Sequence, residues 1–365
     1  MQTTIYNSRF RKTAMMVACA AAFVCCKSKV DGIAHADSGK APAAATKPSA
    51  PVAEPDEFNT SIINGTANNA TLLEGLNVPW RQSENDMYVQ AVIARGPSIV
   101  RPLLAAIVHG TYKQLPNVIT ALNGMGEAAV PTMIKVMKSD KELLVRVNAL
   151  SSLCNLKRAG KIGPETEPAV IAAMVAMLSD EEVDMRRHAS QNIAKFGAAA
   201  IGPLIAALDD PRTRYEDGVE SYAADALIFI GQPSVAPLIA MTKDPDEDKR
   251  VYAARSLSRI GEPALPELRE GLKGAPLMQM GCMMALGYID DAKSINPIIR
   301  LLHSRTTEVS ATAALNLGRL HARKALPELK RMAHDKNVDP FVQNIASEAV
   351  SKIQSESGPG SGGHQ

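Results

Sequence analysis

A set of aromatic and charged residues recurs along the chain at intervals of about thirty residues. They stand nine, six or two residues before positions that each end a helix. The three rows are His188, Tyr222 and Tyr252 at nine residues, Gln191, Asp225 and Arg255 at six, and Lys195, Phe229, Arg259, Tyr288 and Arg319 at two. Positions three and four apart share one helix face, and Tyr and Arg on a rigid surface are typical binding anchors. We therefore expect these residues to bind a protein or peptide partner, with Tyr222 and Tyr252 as exposed central anchors.

The same rows have a second interpretation. Aromatic rings also fill gaps between neighbouring helices, and such rings would support folding rather than binding. The chain has only 14 aromatic residues among 365, and four of them stand in these rows. Both interpretations therefore stay open at the level of sequence, and they differ in whether the rings are exposed or buried.

Residues that could hold a metal or act in catalysis follow no recognised pattern. The histidines of the body stand at unlike repeat positions: His109, His188, His303, His321 and His334. Cys154 and Cys282 are far apart and match no metal-ligand spacing. The chain also lacks a Gly-rich phosphate loop and a Gly-x-Ser-x-Gly elbow. We predict no catalytic residue, no cofactor and no metal.

The charge balance disfavours nucleic acid as a partner. The whole chain has a net charge of +2, but the first 36 residues hold five basic groups and one acid, so the remainder carries −2. Proteins that bind nucleic acid usually carry an excess of positive charge. We expect no nucleic-acid partner.

A stop-and-start signal recurs through the chain and predicts the elements that position these rows. A residue suited to a helix end is followed five to seven positions later by a proline suited to a first turn. The pairs are Gly96 with Pro102, Gly126 with Pro131, Gly197 with Pro203, Gly231 with Pro237, Gly261 with Pro266, Asp290 with Pro297, and His321 with Pro327.

A helix with one apolar face precedes each of these ends. Its apolar stripe includes Met185, Ala189, Ile193 and Phe196, and the same register places Cys282 in the core. Val145 to Leu156 form a further unit that ends near Lys157, where no glycine stands in register. Because each helix pair can bury its face only by stacking on its neighbours, the fold is predicted to be all-α, an α-solenoid of about eight helix-pair repeats.

Two segments carry a resemblance to a known family. GAAAIGPLIAAL over 197–208 and RVYAARSLSRIG over 250–261 resemble HEAT repeats of the phycobilisome-lyase type, and the resemblance extends over about 85–353. It implies the solenoid fold and indicates little about function. The arginines that open helices in such repeats correspond to Arg146, Arg186 and Arg250, and we expect them to bond Asp side chains and loop carbonyls.

Enzymes with similar repeats provide the alternative functions. Deoxyhypusine hydroxylases hold two irons on His-Glu dipeptides, and this chain has no such dipeptide. Bilin lyases act on a cytoplasmic chromophore, and the export signal described in the next paragraph disfavours this role. We therefore expect a non-catalytic scaffold that binds a protein or peptide on its concave face; the alternatives are a HEAT-type oxidoreductase resembling deoxyhypusine hydroxylase and a bilin-lyase-like protein.

The chain ends have compositions of their own. Arg9, Arg11 and Lys12 precede an apolar run over 14–26, the pattern of an export signal, which we place at 1–36 with cleavage after Ala36. A lipid anchor at Cys25 or Cys26 is the less favoured alternative. We expect a flexible linker at 37–70, the repeat domain at 71–354, a disordered Gly/Ser tail at 355–365, no membrane span in the mature chain, and a periplasmic or extracellular location in a bacterial envelope.

Two intervals exceed the repeat length. The excess residues are 158–167 and 212–218. Insertions in solenoids emerge as loops at one edge, where they often border a binding face. The sequence leaves open whether these two insertions are functional or neutral.

Overall fold

A computed structural model of the chain describes its repeat region. The described residues are 61, 65–77, 87–110, 115–216 and 220–355. The predicted export signal, Cys25 and Cys26, most of the predicted linker, and the tail beyond Ser355 lie outside the described residues.

Within the described ranges the chain forms eighteen α-helices and no strand, apart from one isolated antiparallel bridge between Arg214 and Ser221. The helices are α1 Asn69–Gly75, α2 Met87–Arg95, α3 Val100–His109, α4 Leu115–Met125, α5 Val130–Ser139, α6 Leu143–Arg158, α7 Glu167–Ala176, α8 Val183–Ile193, α9 Ala198–Ala207, α10 Tyr222–Ile230, α11 Val235–Met241, α12 Glu247–Ile260, α13 Leu265–Gly271, α14 Pro276–Ile289, α15 Ile295–Leu301, α16 Thr307–Arg319, α17 Leu326–His334 and α18 Pro340–Ser355.

From α3 onward the helices form eight consecutive pairs. The two helices of every pair contact each other, and the second helix of each pair contacts the second helix of the next, from α4 to α18. We call this continuous set the second-helix layer. The fold is an all-α solenoid of eight helix-pair repeats, as the apolar stripes predict.

All seven predicted helix ends adopt a left-handed backbone. The five glycines, together with Asp290 (φ 63°) and His321 (φ 45°), have positive φ. The unit predicted to end near Lys157 ends at Arg158, and the glycine with positive φ follows outside the register, at Gly160 (φ 66°). The amide of Lys161 then reaches back to the carbonyl of Leu156 (2.9 Å), the bond that closes a glycine-ended helix.

Most of the prolines lie in a first turn, where a missing amide costs no helical hydrogen bond. Pro266, for example, is the second residue of α13. A short 3-10 turn usually links the preceding helix end to this start, as Glu262–Ala264 does before α13. Pro203 is the exception, because α9 begins earlier and places this proline inside the helix.

The apolar stripes form the core. Buried members of the predicted register are Val145, Ala149, Leu153, Leu156, Met185, Ala189, Ile193, Phe196, Ala223, Leu227, Cys282, Leu286, Val309, Ala313, Leu317 and Leu320. Both described cysteines are free and buried. Burial raises the pKa of the Cys154 thiol and of the Cys282 thiol to about 12. The placement of Cys282 in the core is confirmed.

The helix-opening arginines bond the segments that precede their helices, and Arg146 also reaches the loop of the next repeat. Arg146 donates to the carbonyl of Met137 (2.8 Å) and pairs with Asp180 of the next repeat. Arg186 donates to the carbonyl of Asp180 (2.7 Å). Arg250 donates to the carbonyl of Asp244 (2.7 Å). The predicted structural role of these arginines is confirmed.

The packed region begins earlier than the predicted linker boundary at residue 70. Ala67 is buried, and Asn68 caps α1 by accepting a hydrogen bond from the amide of Thr71 (3.0 Å). Asn117 of α4 donates to the carbonyl of Leu76 (2.9 Å) and holds this segment against the array. The Asn/Thr-rich stretch was assigned to the linker by composition, but Asn is also a preferred helix cap.

One helical stretch in the described part of the chain, Met87–His109, is long and apolar enough by length and composition to cross a membrane. It comprises α2, α3 and the Gly96 turn between them. Val92, Ile99 and Leu103 within it are buried in the common core. Core helices of a repeat array meet the same criteria of length and composition.

Candidate binding surface on the second-helix layer

Four of the eleven predicted binding residues are buried: Tyr222, Asp225, Tyr252 and Arg255. Tyr222 is 5% exposed and Tyr252 is 4% exposed. The expectation that these two tyrosines are exposed anchors is therefore wrong, and the packing interpretation holds for them.

The insertion near residues 212–218 covers the two tyrosines. Its arms pair through a hydrogen bond from the amide of Tyr215 to the carbonyl of Glu220 (2.8 Å). The Tyr215 ring packs edge-on against Tyr222, with centroids 4.3 Å apart. The guanidinium carbon of Arg214 lies 5.9 Å from the centre of the Tyr252 ring. Residues 211–216 and 220–221 thus cover part of α10 and α12, and we call them the cover segment.

Tyr222 also receives a cation from the preceding repeat. The guanidinium carbon of Arg186 lies 5.3 Å from the centre of its ring. Each buried tyrosine is thus matched with one arginine, and such contacts stabilise by about 0.5–2 kcal/mol depending on desolvation. The cation–aromatic pairs bind neighbouring repeats and the cover segment together.

Asp225 links the cover segment to an exposed arginine. The Tyr215 hydroxyl donates to one carboxylate oxygen of Asp225, and Arg259 Nη1 donates to the other at 2.5 Å. Burial, followed by the charge of Asp225, raises the pKa of Tyr215 above its ordinary value. The phenol therefore remains a hydrogen-bond donor. Through this carboxylate the cover segment fixes the direction of the Arg259 side chain.

The row two residues before each helix end remains accessible. We call Lys195, Phe229, Arg259, Tyr288 and Arg319 the last-turn row. Lys195, Phe229 and Arg259 are exposed, while Tyr288 and Arg319 are half-buried. Phe229 is 52% exposed. The Arg319 guanidinium carbon lies 4.0 Å from the centre of the Tyr288 ring. Because α8, α10, α12, α14 and α16 stack in order, cations and aromatic rings alternate along five repeats.

Helix electrostatics explain part of this row. A cation in the last turn complements the negative end of the helix dipole, by about 0.3–1 kcal/mol. That accounts for Lys195, Arg259 and Arg319 without any ligand. It does not account for Phe229, because an exposed ring in this position gains nothing from the dipole. Exposure of an aromatic ring between two cations is the feature that calls for a functional explanation.

The two remaining predicted residues lie beside this row on α8. His188 is half-buried and accepts a hydrogen bond from Asn192 through its backbone carbonyl (2.8 Å). Gln191 is exposed. The Lys195 ammonium donates to Asn192 Oδ1 at 2.7 Å, so the row begins on an ordered side chain.

A shallow depression opens between α10 and α12 beside Arg259. Its lining includes Glu220, Asp225, Tyr252, Arg255 and Arg259. Within the described ranges, no three His, Cys, Asp or Glu side chains are grouped as metal ligands would be. The polar groups of these residues are largely turned away from it, and the surface that the depression exposes is almost entirely apolar.

Sequence reasoning missed Tyr215 and Arg214. The periodic register assigns positions only within helices, and both residues lie in the inserted segment. The signal that could have found them was present: the 197-to-231 interval is longer than the repeat, and its excess contains an Arg-Tyr pair next to a helix start.

Known proteins match this chain through its repeats. The HEAT repeats family matches residues 275–351, and the PBS lyase HEAT-like repeat matches residues 249–274. The phycocyanin operon protein Z of Pseudanabaena tenuis is 26% identical over 201 residues, which cover 52% of this chain and 97% of that protein.

Two solved structures illustrate the structural likeness. Human deoxyhypusine hydroxylase in complex with glycerol is 16% identical with a TM-score of 0.28, covering 73% of this chain and 98% of that one. Kap121p bound to Nup53p is 14% identical with a TM-score of 0.37, covering 78% of this chain and 37% of that one. At these values neither structure bears on function. The sequence matches over residues 249–351, with the stacked helix pairs, support a HEAT-repeat protein of the phycobilisome-lyase HEAT-like type.

Proposed function

We propose that this HEAT-repeat protein is a non-catalytic scaffold that binds a segment of a partner protein along the last-turn row. We take the second-helix layer to be the concave face of the solenoid. The observation that carries the proposal is the exposed Phe229 ring, with exposed Lys195 in the 3-10 turn after α8 and exposed Arg259 on α12 at the same register position of the neighbouring repeats. Aromatic and arginine side chains dominate binding energy at protein interfaces.

A comparison of two exposed apolar residues tests this proposal. Phe229 is 52% exposed and Leu144 is 60% exposed, but Leu144 lies on α6, outside the last-turn row. Wild type, Phe229→Ala and Leu144→Ala would each be used as bait in the native envelope extract. The proposal expects a stoichiometric partner that Phe229→Ala loses and Leu144→Ala retains. Equal retention by both variants would contradict it.

We also propose that the chain is exported to the periplasm or the cell exterior. The support is the basic start at Arg9, Arg11 and Lys12 followed by the apolar run over 14–26. Fractionation of the native cells is the test, and mass spectrometry of the N-terminus is its readout. Export predicts a chain shortened near Ala36 or lipidated at Cys25 or Cys26. Full-length protein with its leader intact in the cytosol would contradict export.

A second candidate is a role in bilin chemistry. It is favoured by the PBS lyase HEAT-like match at 249–274 and by the relative named for a phycocyanin operon. Visible absorbance during titration with a free bilin distinguishes the two candidates. A saturable spectral shift at one bilin per chain would favour the lyase-like role, whereas the scaffold proposal expects no shift. Iron bound in stoichiometric amount would instead favour an oxidoreductase.

A further inference from the structure

The partner segment can be described further from the chemistry of the last-turn row. The row reads cation, aromatic, cation, aromatic, cation from Lys195 to Arg319. We infer that the bound segment is extended and acidic, with carboxylates facing the three cations and apolar side chains facing Phe229 and Tyr288. This inference rests on the proposed function and specifies the partner of the same surface.

The donors of the row remain able to bind a carboxylate. Arg259 uses Nη1 for Asp225, and a guanidinium has five N–H donors in total. The guanidinium carbon of Arg319 lies 4.0 Å from the centre of the Tyr288 ring, and the contact with the ring face consumes none of its five N–H donors. The Lys195 ammonium donates to Asn192 and has three donors. Each cation is therefore oriented by a neighbour and still has hydrogen-bonding capacity.

The charges of the row itself favour an acid over a base. Among the described contacts, Asp225 is the carboxylate paired with a cation of the row, and it is buried and already bonded to Tyr215 and Arg259. At the opposite ends of three of these helices Asp184, Asp248 and Glu308 are exposed, but Asp184 is paired with Arg187 and Asp248 with Arg214. The three cations of the row therefore provide the positive charges that an acidic segment can contact along it.

The stacking distance sets the spacing within the partner. Packed helices lie about 8–10 Å apart, and an extended chain advances about 3.3–3.6 Å per residue. One repeat therefore corresponds to about two to three residues of the partner. At about three residues per repeat, five repeats are crossed by about thirteen residues, with acids near positions 1, 7 and 13 and apolar side chains near 4 and 10.

Synthetic peptide pools test the inference directly. The register pool has the pattern E-x-x-L-x-x-E-x-x-L-x-x-E, where x is a mixture of Ser, Thr, Asn and Gly. A scrambled pool has the same composition in a different order. A charge-reversed pool, called the reversed pool, has Lys in place of each Glu. Binding of each fluorescent pool to the repeat protein would be measured by anisotropy at low and high salt.

The inference expects the register pool to bind at least 10-fold tighter than the scrambled and reversed pools, with weaker binding at high salt. Phe229→Ala should weaken it about 30-fold, as loss of a hot-spot residue does, and Arg319→Glu should weaken it about 10-fold or more. Arg187→Glu is the matched control, because Arg187 is exposed on α8 outside the row and should change binding less than 2-fold.

The possible failures are distinguishable. Tighter binding of the charge-reversed pool, or equal binding of the register and scrambled pools, would overturn the acidic register. If Phe229→Ala still weakened that binding, the last-turn row would remain supported as the binding surface. Binding that Phe229→Ala leaves unchanged, or no binding by any pool, would overturn the register and count against the surface as well.

Discussion

Replacement of Tyr252 and of Phe229 by Ala should separate the packing role from the binding role within a single protein. Both residues are aromatic and both lie in the predicted rows, but Tyr252 is 4% exposed and Phe229 is 52% exposed. Truncating a buried aromatic side chain to Ala costs about 3–5 kcal/mol. Tyr252→Ala also removes the ring beside Arg214 of the cover segment. We expect Tyr252→Ala to lower the free energy of unfolding by about 3–4 kcal/mol.

Phe229→Ala should behave differently in the same assay. Surface substitutions usually change the free energy of unfolding by about 0.5 kcal/mol or less. For domains of 150–250 residues, 1 kcal/mol shifts the melting temperature by roughly 2–4 °C. Tyr252→Ala should therefore lower the midpoint by about 6–16 °C, and Phe229→Ala by about 2 °C at most.

Thermal unfolding followed by circular dichroism at 222 nm measures both variants. Tyr252→Phe is the control, because it keeps the ring and the contact with Arg214 and should stay within about 1 kcal/mol of wild type. If Tyr252→Ala had the same melting temperature as wild type, the Tyr252 ring would not be packed under the cover segment. If Phe229→Ala melted as low as Tyr252→Ala, the last-turn row would be part of the core.

Three further predictions concern single groups. Tyr215→Phe should lower the free energy of unfolding by about 1–3 kcal/mol because buried Asp225 loses a hydrogen-bond donor. Since the pKa of Tyr215 is raised in the folded state, the free energy of unfolding of the wild type should fall as the pH rises above about 10. A free energy of unfolding that does not change with pH in either protein would contradict this account. Cys154 and Cys282, whose pKa values are raised to about 12 by burial, should resist alkylation at pH 8 until the chain unfolds, and rapid labelling of the native protein would disprove the repeat register. Asp290→Gly should raise the free energy of unfolding by about 0.5–1 kcal/mol, because Asp290 holds φ at 63° where glycine is unstrained; a loss of stability by chemical denaturation would contradict this.

The sequence predicted the periodic parts of the fold because helix ends and apolar stripes are local signals. A left-handed residue such as Asp290 or His321 is recognisable when its neighbours in register are glycines. Gly160 was missed because it stands outside that register, after a helix that runs on past Lys157. Asn68 was assigned to the linker because composition does not distinguish a cap from a coil.

The candidate site was only half predictable, for a physical reason. Helical periodicity shows which side chains share a face, but it cannot show what another segment lays over that face. Tyr222 and Phe229 are seven residues apart on one helix, and only Tyr222 is covered by the inserted segment that carries Tyr215. The last-turn row was among the predicted rows, but the burial of Tyr222 depends on the inserted segment and has no periodic signal.

The claim that the last-turn row contacts a partner is tested most directly by placing a photo-crosslinking amino acid at position 229 and, separately, at position 144. Both positions are exposed, and both variants would be irradiated in the native envelope, with the crosslinked peptides sequenced by mass spectrometry. We predict that position 229 crosslinks to one recurring partner segment rich in Asp and Glu, and that position 144 does not. Crosslinking of the same partner from position 144 with none from position 229 would contradict the account.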